Sequence, residues 1–171
     1  MLVWCVLPLW VISGFLDYLC HRQSHIERAA GIRESAIHWL MLAQVMLPLG
    51  LAVFFRINAL VLTIMIVCLI AHEVTGYFDL KLAMATRRVT IFEHQVHSAL
   101  EILPLTAMLL VMALHWPQTQ ALFGFGPERA DFSLGPKQMP RMGEIIPPLT
   151  AFLALAILPY LEELARGLRR K

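Results

Sequence analysis

The stretch IFEHQVHSALEILPLTAMLL, residues 91–110, reads over most of its length as a helix inside lipid. Its first turns nevertheless hold Glu93, His94, His97 and Glu101. An ionisable side chain in a membrane segment costs about 2.5–3.5 kcal/mol even on insertion scales. At about 100° per residue, Glu93, His97 and Glu101 follow one another along one stripe, with His94 beside them. Two carboxylates and two imidazoles at one end of an apolar helix therefore require a partner that offsets their cost.

The rest of the chain sets the context. It has 171 residues, of which 58% are hydrophobic and 15% charged, and its mean hydropathy is +0.67. A soluble domain carries about 25% charged residues. The expected fold is all-α, an integral membrane helical bundle forming a single transmembrane domain over residues 1–171. The net charge of +2 is small, and no nucleic-acid partner is expected. Cys5, Cys20 and Cys68 are scattered through apolar segments without a CxxC pair, which suits buried small hydrophobes. The opening MLVWCVLPLWVISGFLDYLCHR has no Lys or Arg before Arg22 and no small-residue cleavage pattern, so it is expected to be a retained membrane helix.

Five apolar segments, residues 2–21, 37–56, 58–80, 91–114 and 144–163, each come near the roughly 20 residues that cross a bilayer. Pro48, Pro104 and Pro159 lie within them. The long connection 115–143 is rich in Gly and Pro and should be irregular, with a short helix on the membrane surface. With the N-terminus outside, ten of the fourteen basic residues are cytoplasmic: Arg22, Arg28, Arg33, Lys81, Arg87, Arg88, Arg166, Arg169, Arg170 and Lys171. The positive-inside rule thus predicts the N-terminus outside, the C-terminus cytoplasmic, and a location in the cell membrane.

This topology gathers the histidines. His21 and His25 end the first segment, His38 begins the second, His72 lies late in the third, and His94 and His97 begin the fourth. All six fall at the cytoplasmic face, whereas His115 lies at the other. Asp17, His21 and His25 step by four, as do Glu34 and His38, while His72 and Asp79 are seven apart. Each helix offers a narrow polar stripe, and four stripes at one depth can face a common centre. No Lys belongs to this group, and Arg22 or Arg88 are the nearest expected cations. Bound metal then becomes the simplest neutraliser, since imidazole and carboxylate suit iron, manganese or zinc. Eleven candidates (Asp17, His21, His25, Glu34, His38, His72, Asp79, Glu93, His94, His97 and Glu101) are too many for one ion and suit two.

Other residues receive milder readings. Glu73 points about 100° from His72, and Glu27 falls on a solvated turn. Tyr18 and Tyr77 are expected as interfacial aromatics. Met41 and Val45 follow His38 on nearly the same face, as core packing or the wall of an apolar substrate tunnel. The fifth segment gives no ligand at the right depth, because Glu162 and Glu163 sit in its final turns; it is expected to seal the bundle.

The layout resembles two designs. Ferritin-like di-iron bundles draw Glu and Glu-x-x-His ligands from four helices; here the spacing is Glu34-x-x-x-His38 and Glu93-x-x-x-His97. HRQSH at 21–25 and HQVH at 94–97 resemble histidine boxes of the integral-membrane fatty acid desaturase and hydroxylase superfamily, although the adjacent double histidine of that superfamily is absent. The resemblance implies a membrane-bound non-haem di-iron oxidoreductase, a hydroxylase or desaturase, acting on a lipid or other apolar substrate admitted from the inner leaflet. Two iron ions would be the cofactor, and a separate electron-donor protein would be required. Three other readings stand beside it: a zinc-dependent hydrolase of lipid amides or esters, a bis-histidine haem electron carrier, and a metal transporter, which should carry polar groups nearer the midplane.

Overall fold

The computed structural model describes residues 2–26, 32–138 and 141–169; Glu27, Arg28, Arg170 and Lys171 lie outside them. A π-helical turn, Leu2–Val6, leads into α1, Leu7–Ser24. There follow α2, Ile32–Phe54, α3, Ala59–Thr86, α4, Ile91–Leu114, and the short α5, Trp116–Leu122. The last span is α6, Met142–Phe152, a π-helical turn, Leu153–Ile157, and α7, Leu158–Leu168. Five helices among the described residues are long and apolar enough to cross a membrane.

Helix ends follow local chemistry. Asn58 caps α3, its side chain accepting from the Val61 N–H at 3.1 Å. Thr90 caps α4 by accepting from the Glu93 N–H at 3.1 Å, the Thr-x-x-Glu pattern of a helix start. The C-cap of α1 is His25, held in the left-handed region at φ 50°, a conformation costing a non-glycine residue about 1–2 kcal/mol.

The observed spans differ from the expected segments in one consistent way. At one end of the bundle the helices run further: to Ser24 rather than 21, from Ile32 rather than 37, to Thr86 rather than 80, and to Leu168 rather than 163. Ionisable residues at that end are turned inward, so the helices continue where apolar sequence stops. The start of α4 at Ile91 coincides with expectation because Thr90 fixes it.

The spans pack as a ring in the order α1, α4, α3, α2, α7 and back to α1. Their buried residues trace the inner face: His72, Gly76, Asp79 and Ala83 on α3, and Glu93, His97, Pro104, Met108 and Val111 on α4. On α2, only Glu34, Ser35 and His38 are buried, all near its start. On the last span, Ala156, Pro159, Glu163 and Gly167 are buried, all in its second half. The ring is therefore closed at the end that holds the histidines. At the other end α6 packs mainly against its own continuation.

The connection after α4 is as expected: the short α5, then an irregular segment. It covers the turn between α2 and α3, where Arg56 N–H donates to Gly135 O at 2.9 Å, Leu60 N–H to Asp131 O at 3.1 Å, and Asn58 Nδ2 to Ser133 O at 2.7 Å.

Candidate metal centre

At the closed end, seven of the eleven candidates meet in groups of three whose ligand atoms lie within 4.8 Å of one another: Asp17, His21 and His38; His21, Glu93 and His97; Glu34, His38 and Asp79. Each is at most 7% exposed. Local structure sets each one up. Glu34 and Glu93 occupy the first turns of α2 and α4, where the helix dipole favours a carboxylate. Asp17 and His21 are one turn apart on α1, and Asp79 sits on the inner stripe of α3.

Glu163 was not expected there. The last apolar segment ends at residue 163, but α7 continues to Leu168 and places Glu163 a full turn inside, 1% exposed. Its Oε2 lies 3.2 Å from His21 Nδ1 and its Oε1 lies 2.9 Å from His38 Nδ1. Ser35 Oγ also donates to Oε1, at 3.1 Å. One carboxylate thus holds two imidazoles, whose rings stack 4.6 Å apart at 7°. With both Nδ1 atoms protonated toward Glu163, both Nε2 atoms carry lone pairs facing the other acids. A carboxylate behind an imidazole is the arrangement that orients metal-ligating histidines.

The inward-facing atoms are close but poorly satisfied. His21 Nε2 is 3.4 Å from Asp17 Oδ1 and 3.7 Å from Glu93 Oε1. His38 Nε2 is 3.3 Å from Asp79, and His97 Nε2 is 2.9 Å from Asp17 Oδ1. Even so, His21 Nε2, His97 Nε2, Asp17 Oδ1, Asp79 Oδ1 and Glu34 Oε2 are buried and make no directed hydrogen bond. Buried polar atoms are nearly always satisfied. Among these atoms His38 Nε2 and Asp79 Oδ2 share a hydrogen bond of 3.3 Å; the orphaned remainder, imidazole nitrogen and carboxylate oxygen, matches the preferences of iron, manganese or zinc.

Arg87 corrects the expectation that the cluster has no basic partner. It follows the last residue of α3, and its Nη2 contacts Glu34 Oε1 at 2.8 Å and Glu93 Oε1. Burial opposes its charge, but the hydrogen bonds it donates to Glu93 and then Glu34 outweigh that and hold the guanidinium even more firmly protonated than usual. Its Nε and Nη1 have no hydrogen-bond partner. Five buried carboxylates (Asp17, Glu34, Asp79, Glu93 and Glu163) against one guanidinium leave four negative charges when the imidazoles are neutral.

The other four candidates lie elsewhere. His72 is 6% exposed and lines a cavity beside the cluster, as does the half-buried Glu101. His25 and His94 are exposed. The left-handed turn at His25 ends α1 and takes that residue off the stripe; His94 is one position from Glu93 on α4, about 100° around the helix. Tyr18, expected at the interface, is instead 6% exposed. Its hydroxyl donates to Glu162 Oε2 at 2.9 Å and accepts from Arg22 Nη1 at 2.9 Å, tying α1 to α7. Tyr77 is 62% exposed, as an interfacial or lipid-facing aromatic would be.

The cavity has a volume of about 820 Å³. Asp17, His38, His72, Asp79, His97, Glu101, Glu144 and Tyr160 are its polar lining, and its remaining wall is largely apolar, including Met41 and Val45. The chain matches no protein-family model, no curated protein and no solved structure.

Proposed function

We propose that the protein is a membrane-bound metalloenzyme whose buried cluster holds two metal ions, with iron the first assignment and zinc the alternative. The observation that carries this is the set of buried, converging imidazole and carboxylate atoms without hydrogen-bond partners, around a surplus of four negative charges when the imidazoles are neutral. Two divalent cations would balance that surplus. Asp17, His21, Glu34, His38, Asp79, Glu93 and His97 would supply the ligands, and Glu163 would orient His21 and His38. When bound, a pair of irons would supply oxygen-dependent oxidation of an unactivated apolar substrate. The protein's residues contribute the rest: the apolar cavity excludes water and positions the substrate, while His72 and Glu101 line it as groups able to hold or pass a proton.

On this reading the protein is an oxidoreductase of hydroxylase or desaturase type, active on a lipid or similar molecule. It would draw electrons from a separate protein. The excess of basic residues supports an orientation with the cluster at the cytoplasmic face. Elemental analysis with Mössbauer spectroscopy on purified protein tests the assignment. Two irons per chain would support it. One zinc per chain would move the function to hydrolysis of a lipid amide or ester.

A further inference from the structure

The cavity has a direction. At one end are His38 and His97; at the other it reaches Pro8 on α1, Phe54 on α2 and Pro148 on α6. From His38 to Phe54 the wall of α2 rises about 24 Å at 1.5 Å per residue. The closed end is sealed by Glu163 and its neighbours. The far end is not sealed: beyond His38 no residue of α2 is buried, and Pro148, Leu149 and Ala151, which line the cavity, are also exposed. Its volume falls within the roughly 300–1,000 Å³ of ligand sites.

In a bilayer, the medium around an opening between α2 and α6 is hydrocarbon. An apolar channel of this length is complementary to an extended acyl chain. A polar head group cannot lead through it, because taking a charged or hydrogen-bonding group out of water without partners costs several kcal/mol. We propose that the cavity takes a single acyl chain of a membrane lipid, methyl end first, from the side of the bilayer opposite the polar cluster. The head group stays at the far interface, near Glu144, and the carbons offered to His38 and His97 lie in the methyl half of the chain. This reverses the inner-leaflet route expected from the sequence. As a substrate channel it rests on the metalloenzyme reading; as a lipid site it stands without it.

Photolabelling tests both the site and the polarity. The full chain is reconstituted in phosphatidylcholine vesicles containing a palmitoyl lysophosphatidylcholine with a diazirine either at the methyl end or next to the glycerol. The methyl-end probe should mark the peptide around Met41, and the glycerol-side probe should mark peptides around Phe54 and Pro148. Val45→Trp, which fills the channel midway, should abolish the Met41 mark, and Leu49→Phe serves the same purpose if Val45→Trp does not fold. A reversed pattern would overturn the proposal, as would a Met41 mark that survives the blocking substitution. Metal content is measured on the same samples. The expected labelling without metal would keep the lipid site and remove the metalloenzyme reading; metal without the labelling would do the opposite.

Discussion

The two ends of the bundle are built on different principles. At the cluster end all five spans converge, and their contacts are polar, directional and enclosed: Glu163 to His21 and His38, Arg87 to Glu34 and Glu93, Tyr18 to Glu162. At the far end the first and second spans line an apolar cavity, and the fifth span is exposed almost all round. Lipid is as apolar as leucine, so apolar contact alone does not draw helices together in a membrane. Polar contacts therefore hold the first, second and fifth spans at the cluster end, whereas at the far end the third and fourth spans close on each other through the buried Leu62, Met108 and Val111 and the side facing α2 and α6 stays open.

Substitutions should separate the two ends sharply. The largest effect is expected for Glu163→Ala, which strands two imidazoles and Ser35; breaking a buried polar set of this kind costs about 3–5 kcal/mol. Leu149→Ala, at the exposed far end, should stay within about 0.5 kcal/mol. Thermal unfolding of both proteins in the same detergent gives the comparison, and equal shifts would contradict it. Next comes Arg87→Met. Removing the guanidinium leaves Glu34 and Glu93 facing each other, so the metal-free protein should be strongly destabilised, whereas added metal should recover much of the loss. A loss that metal does not reduce would make Arg87 a purely structural cation.

Within α4 the contrast narrows to two histidines one turn apart. His97→Ala should lower metal content and abolish turnover, and His94→Ala should alter neither by much, because His94 is exposed and His97 is 7% exposed. Inductively coupled plasma analysis of the two variants decides this.

The smallest effect concerns the far end. Burial, with help from Lys137, holds the His115 imidazole below its ordinary range. The folded state therefore binds this proton less readily than the unfolded state. Its contribution to stability is full above the ordinary value of about 6.5 and is lost as pH falls. His115→Ala should flatten that slope slightly, as read by hydrogen exchange in residues 115–123, without changing metal content.

The sequence carried the number of spans and the inner stripe because both depend on simple periodicity. Asp17, His21, Glu34, His38, Asp79, Glu93 and His97 could be placed at one depth by counting turns from the basic connections. What it hid were residues beyond the apolar runs. Glu163 falls in the final turns of the last apolar segment and Arg87 in the basic connection after the third, since hydropathy falls off just where the bundle turns its charges inward. Two signals were available: Pro159, Glu163 and Gly167 repeat every four residues, and the last span runs in the same direction as the first and third, so its end belongs at the cluster. His25 could not be judged by spacing, because the left-handed turn that removes it from the stripe is a property of the backbone.

The most direct measurement is the metal content of the wild-type chain, purified without chelator, set beside that of His97→Ala. Two ions per wild-type chain are expected, about 3–4 Å apart if they act as a pair, with a clear loss in the variant. Wild-type protein that stays folded and carries no metal after incubation with ferrous iron or zinc would contradict it. The cluster would then be an ion-pair network of protonated histidines, carboxylates and Arg87.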